Sequence, residues 1–253
     1  MRYFLELSYK GTAYNGWQRQ PDAPSVQQTV ETALSTLLRT SVGIVGAGRT
    51  DTGVHAAYYV AHFDTVSEIE DTARFCYHLN ALMPADIAAG TVTRVADGAH
   101  ARFDALQREY FYRIVPFKDP FRTETAWLYS VPLDVERMNE AAALLMHYED
   151  FTTFSKLHSN NRTSICRIFG AEWAGRGDEL VFTIRADRFL RNMVRSIVGT
   201  LVDVGRGKLT VESFGDAVES RDRSRASGSA PAQGLFLSDV LYPEEIFRRT
   251  RRQ

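Results

Sequence analysis

The chain has 253 residues, of which 44% are hydrophobic and 24% charged, and its formal net charge is −1. That length buries a substantial core as one large domain or two smaller units, the composition is that of a globular rather than a disordered chain, and no apolar run approaches the length of a membrane span. Near-neutral charge argues by itself against nucleic-acid binding, and two distant cysteines, Cys76 and Cys166, outside any CxxC pattern, argue against a disulfide scaffold or thiolate zinc site.

From Met1 to Tyr9 the apolar residues Tyr3, Leu5, Leu7 and Tyr9 alternate with Arg2, Glu6 and Ser8, the two-residue period of a strand with one buried face. Glu6 interrupts any signal-peptide-like core, so the expected location is the cytoplasm. A loop with Gly11, Gly16 and Pro21 follows. Ser25 with Gln28 three residues on makes a capping box, and Val26, Val30, Ala33, Leu34 and Leu37 continue at helical spacing, predicting a helix of about 15 residues. Residues 41–47 read as a short strand, 48–53 as a tight loop, and 56–63 as a second strand.

Asp71 opens another helix, with Phe75, Cys76, Leu79 and Leu82 on one face and Pro84 as its stop. Strands are predicted at 87–95, 107–115 and 126–130. Asp134 caps a helix presenting Met138, Ala141, Leu144 and Leu145, and strands resume at 164–173 and 180–184. A helix starting at Phe189 carries Met193, Ile197 and Leu201 beside Leu190, Val194 and Val198, a surface so broad that most of it must be buried; Gly205 and Gly207 end it. A short helix from Thr210, a Gly/Ser/Pro/Ala-rich loop at 225–234 and a last strand at 235–241 complete the chain. The pattern is an antiparallel α+β layout, with a soft boundary near residue 100 that divides 1–100 from 101–253.

Arginines cluster at Arg185, Arg188, Arg191 and Arg195, at Arg221, Arg223 and Arg225, and at Arg248, Arg249, Arg251 and Arg252, so a basic surface is compatible with a neutral total. His55, His62, His78, His100, His147 and His158 show no HxxxH or HxH grouping, and no metal site is expected. Both cysteines, and the aromatic residues near Phe103 and Phe117, read as packing residues.

The most unusual stretch is Gly46-Ala47-Gly48-Arg49-Thr50-Asp51-Thr52-Gly53-Val54-His55, three glycines and an Arg-Thr-Asp triplet in one strand-loop-strand turn. It lacks the GKS or GKT of a phosphate loop, and no helix follows directly. On pattern alone Asp51 is a turn-capping residue. The stretch fits GxGRTDxGVHA, and with it stand Arg102-Phe103-Asp104, Arg108 to Tyr112 as REYFY, Phe151 to Lys156 as FTTFSK, Phe189 to Gly199 as FLRNMVRSIVG, and Ala230 to Leu237 as APAQGLFL. In these blocks, spread over nearly its whole length, the chain resembles the tRNA pseudouridine synthase A family. One departure is Thr52, where members usually carry Ala.

The resemblance implies an enzyme that isomerises uridine to pseudouridine at positions 38, 39 and 40 of the tRNA anticodon arm, as a homodimer, without metal or other cofactor. It implies a pseudouridine-synthase-like α+β fold of two similar halves, with mainly antiparallel sheets joined across a central basic cleft. Asp51 is the implied nucleophile and Arg195 the cation that keeps it ionised, a role for which a guanidinium is suited because it does not deprotonate. Tyr110 is implied in substrate binding and Arg49 in extruding the target base. Without the resemblance, Arg195 reads as an arginine reaching out of a buried helix, and Tyr110, which shares a strand face with Tyr112, as packing. The rival reading is a non-catalytic RNA-binding protein or tRNA chaperone of the same fold.

Overall fold

A computed structural model describes residues 1–156 and 163–247; His158 and the arginines at 248, 249, 251 and 252 lie outside the described residues. The chain divides into two compact units. The first comprises Met1–Leu106 with the chain from Leu237 onward, and the second is Gln107–Phe236. The expected boundary after residue 100 thus moves to after Leu106, and the end of the chain returns to the first unit. The cause is packing: the Tyr242 hydroxyl donates to the Ala101 carbonyl, Ala96 N–H donates to Ile246 at 3.0 Å, and Tyr242 and Phe247 lay their rings against Phe4 at 5.0 and 6.0 Å.

In the first unit β1 (Arg2–Tyr9) pairs antiparallel with both β3 (His55–Asp64) and β4 (Ile87–Arg94), and β2 (Ile44–Gly46) pairs antiparallel with β3. Tyr3, Leu5, Leu7 and Tyr9 are buried as their alternation requires. Phe4, of opposite parity, is buried as well because the C-terminal segment covers it. Helix α1 (Val26–Leu38) is capped by the Ser25 hydroxyl, which accepts from Gln28 N–H at 3.3 Å, a bond of the kind that contributes about 1 kcal/mol. Helix α2 (Thr72–Leu82) is capped in the same way by Asp71.

In the second unit β5 (Gln107–Val115) and β7 (Ile168–Arg176) each pair antiparallel with β8 (Glu179–Ala186). The two-residue β6 (Trp127–Leu128) pairs parallel to β5, the one exception to the antiparallel pattern among the described pairings. Helix α3 (Val135–Leu144) is capped by Asp134 and α5 (Val211–Ser220) by Thr210. Helix α4 (Met193–Gly205) begins four residues after the expected start at Phe189, because Asn192 adopts a left-handed conformation (φ 66°) that Asn tolerates and a helix does not propagate through. The last strand, β9 (Leu235–Leu241), begins in the second unit and ends in the first. The class is therefore α+β with mainly antiparallel strands. No described helix is long and apolar enough to cross a membrane.

Cys76 and Cys166 are buried and unpaired with each other, as their reading as small hydrophobes requires. Phe103 and Phe117 depart from theirs, being 74% and 45% exposed. His62 on β3 is buried and its Nδ1 accepts from Ala101 N–H at 3.1 Å, which ties the sheet to the turn at 99–104. Burial, with lesser contributions from Arg2 and His100, pushes the His62 pKa down to about 4 from the ordinary 6.5. Because the folded value lies below the unfolded one, His62 leaves stability intact above pH 6.5, removes it progressively as the pH falls from there, and levels off below about 4. Discounted for partial screening, the loss attributable to this group is about 2 kcal/mol. Urea unfolding between pH 6.5 and 4.5 is expected to show a steeper loss for the native chain than for His62→Asn, which keeps an acceptor and cannot titrate.

Candidate active site

The loop that carries Asp51 has no regular secondary structure, so its shape comes from what lies beneath it. Tyr9, Trp17 and Tyr59 form a buried aromatic group, with Trp17 and Tyr59 ring centroids 4.1 Å apart and Tyr9 and Tyr59 centroids 5.6 Å apart. Two hydroxyls leave this group for the loop. That of Tyr59 donates to the Gly48 carbonyl, and that of Tyr9 shares a 2.9 Å hydrogen bond with the Thr50 hydroxyl. The backbone is tied from the side: Trp17 N–H donates to Thr50 at 3.2 Å, Gly53 N–H to Tyr14 at 3.4 Å, and Val54 N–H back to Asp51 at 3.1 Å. Below the loop's exit, His55 is fully buried and its Nδ1 accepts from Gly11 N–H at 2.9 Å, a structural role.

Asp51 is half-buried at the top of this arrangement, and Arg49, two residues earlier, is exposed with its Nε donating to the Gln18 side-chain oxygen at 3.1 Å. Thr52 is exposed, so the atoms it adds relative to the family's usual Ala need no space within the loop. Sequence reasoning missed Tyr9, Trp17 and Tyr59 as supports, since their strand and loop patterns announce only packing. It also missed Gly16, whose spacing from the Asp51 loop gives no local signal.

In the second unit, α4 holds Arg195 in a constrained position. Of its thirteen residues only Arg195 and Asp203 are not buried, so the helix has no freedom to roll or slide. Arg195 Nε donates to the Ala230 carbonyl at 2.7 Å, and Ala230 N–H donates back to the Arg195 carbonyl at 2.9 Å. The first bond orients the guanidinium and the second ties the two backbones together, which goes beyond an arginine merely reaching for solvent. Asn192 donates to the Ser229 hydroxyl at 2.7 Å, and Lys156 N–H to the Arg191 carbonyl at 3.1 Å. The FTTFSK, FLRNMVRSIVG and APAQGLFL stretches, far apart in sequence, thus meet around α4.

Tyr110 and Tyr112 share a face of β5 but differ in environment. Tyr112 is fully buried, its hydroxyl donates to the Pro231 carbonyl at 2.8 Å, and burial raises its pKa well above the ordinary value. Tyr110 is half-buried, with its ring near-perpendicular to Phe189 at 5.1 Å between centroids. Packing accounts fully for Tyr112 and only partly for Tyr110. In the second arginine cluster, Arg221 pairs with Asp150 at 3.2 Å and Arg223 donates to the carbonyls of Ala226 and Ser227. Among the described residues no group of three or more His, Cys, Asp or Glu side chains is placed to hold a metal ion.

Five of the six sequence blocks thus fall in two well-braced regions, one presenting a carboxylate and an exposed arginine, the other an anchored arginine and a half-buried tyrosine. Comparison with known proteins agrees with the class these define. The chain belongs to the tRNA pseudouridine synthase family, whose match covers residues 7–104 and 141–243. It is 52% identical over 246 residues to the tRNA pseudouridine synthase A of Parabacteroides distasonis, covering 97% of this chain and 98% of that one. Identity to the protein of the same name from Bacteroides thetaiotaomicron is 54% over 249 residues, with 97% and 92% covered, and to that of Bacillus subtilis 40% over 246 residues, with 96% and 99% covered.

Gly16 tests how far the Asp51 loop depends on its support. Its φ is 85°, and a Cβ there would stand 2.3 Å from the Thr50 carbonyl oxygen and 3.1 Å from the Asp51 carbonyl carbon. Gly16→Ala is therefore expected to cost about 1–3 kcal/mol or more. Gly98→Ala, in open space without positive φ, is expected to be near neutral in the same urea titration.

Proposed function

We propose that this protein isomerises uridine to pseudouridine in tRNA, at positions 38, 39 and 40 of the anticodon arm, with Asp51 as nucleophile. What carries the reading is the family match over most of the chain together with a half-buried Asp51 on a loop braced from below. The reaction breaks the bond between uracil N1 and ribose C1′, turns the base, and joins C5 to C1′. A proton leaves C5 and one is gained at N1, so atoms and electrons balance without an oxidant or reductant. Attack on C1′, attack on C6, and elimination from the sugar all call for the same group, an ionised carboxylate held against the nucleotide.

Arg195 is assigned the task of keeping that carboxylate charged, and its anchored guanidinium is suited to it. Tyr110 is assigned to the base, stacking through its ring and assisting proton removal at C5 through its hydroxyl. Arg49 is assigned to extrusion of the target uridine, because a stacked nucleotide must leave the helix before its glycosidic bond is reached. Its exposure and its position two residues before Asp51 support that assignment. The reading draws on residues of both units. It includes a homodimer, on family grounds, and a cytoplasmic location, on the ground that Glu6 interrupts any signal-peptide-like core.

Tritium release from C5-labelled uridine in an anticodon-arm tRNA tests the proposal. Native protein is expected to release tritium, and Asp51→Ala to release none while still binding the RNA. Tyr110→Phe keeps the ring and removes the hydroxyl, so kcat is expected to fall about 10²-fold or more with tRNA affinity retained. Native protein that binds tRNA and releases nothing would establish the non-catalytic RNA-binding reading instead.

A further inference from the structure

Phe103 is 74% exposed, although its sequence context reads as core packing and the surrounding turn is tightly built. His100 N–H donates to Asp104 Oδ2 at 2.7 Å and Asp104 N–H returns to the His100 carbonyl at 3.0 Å. The Nδ1 of His100 lies 3.2 and 3.3 Å from the backbone nitrogens of Arg102 and Phe103, which donate to it. Three rings then run outward from the core: buried His62, His100 at 4.7 Å from it, and Phe103 at 4.3 Å from His100. The run is closed at its inner end and open at its outer end. The guanidinium of Arg102 sits 5.7 Å from the Phe103 ring centre.

The position of this turn relates it to the Asp51 loop. Arg102 and Arg49 line the same small cavity of about 130 Å³, together with Trp17, Gln18 and Gly48, all within the first unit. An exposed, preorganised aromatic ring beside a cation is the arrangement that single-stranded RNA uses: a base stacks on the ring and the charge meets the backbone. Extrusion of a target nucleotide removes a stacking partner from its neighbours, which creates a base in need of such a surface.

We infer that Phe103, with Arg102 beside it, is a stacking platform for an unpaired nucleobase flanking the target uridine. The inference rests on the tRNA reading above for the identity of the RNA, while its test reads binding separately from chemistry. Binding of an unmodified tRNA transcript is measured at fixed salt for the native chain and for Phe103→Ala, Phe103→Leu and Phe103→Trp, with tritium release followed in parallel. Alanine and leucine variants are expected to bind about 10-fold more weakly, the loss falling on KM rather than kcat, with thermal midpoints unchanged because the side chain is largely in solvent. The tryptophan variant is expected to restore affinity, and its added indole emission to be quenched by RNA beyond any quenching in the native chain. Leucine binding as well as phenylalanine would overturn the platform, since bulk would then suffice, as would an alanine variant of native affinity. If native protein binds without releasing tritium and Phe103→Ala still loses affinity, the enzymatic reading falls and the platform stands. Native protein that does not bind the transcript overturns both.

Discussion

The first unit depends on two buried tyrosine hydroxyls that reach the underside of a loop with no secondary structure of its own. Tyr59 holds the Gly48 carbonyl and Tyr9 the Thr50 side chain, so the loop is gripped on both sides of Arg49 and immediately before Asp51. A buried hydroxyl left without a partner is costly, which makes these bonds obligatory once the rings are committed to the core. The same requirement that satisfies the core therefore positions the Asp51 loop. Gly16 completes the grip by allowing backbone to approach backbone at a distance no side chain would permit.

The second unit solves the same problem by other means. There the rigid body is a helix buried on almost every side, and the one arginine along it, Arg195, is only half-buried. Its Nε is committed to the Ala230 carbonyl, which costs a donor but removes much of the rotamer freedom of a long side chain. Preorganised charge is worth most in sites where reorganisation at the moment of reaction would be expensive. In both units the side chain to which the proposal gives a role is thus held by groups to which it gives none.

Much of this was legible beforehand. The caps at Ser25, Asp71, Asp134 and Thr210 fall where their side chains said they would, because capping is local and leaves its signature in neighbouring residues. Strand β5 matches its expected bounds for the same reason. What escaped was non-local. The start of α4 was hidden because FLRN continues the apolar pattern while Asn192 leaves the helical region, and periodicity does not report a dihedral angle. Burial of Phe4 depends on a segment more than two hundred residues away, and so does the assignment of the chain's end to the first unit. The exposure of Phe103 was missed because an aromatic residue in a short turn looks the same in sequence whether it points in or out.

The same reasoning removes the apparent conflict between an RNA substrate and a net charge of −1. Several arginines are neutralised where they stand: Arg2 by Asp64, Arg94 by Asp97, Arg113 by Glu179, and Arg122 by Asp119, Asp178 and Glu179. Arg49 and Arg195 instead donate to neutral oxygens, an amide and a backbone carbonyl, and those bonds orient the charge without cancelling it. A phosphate backbone responds to charge at the contact surface and is screened from charge more than about 10 Å away at moderate salt. The arginines and acids of these structural pairs nearly cancel within the total, and Arg49 and Arg195 stand outside them, so the sum over the sequence is a poor guide to the charge at any one surface.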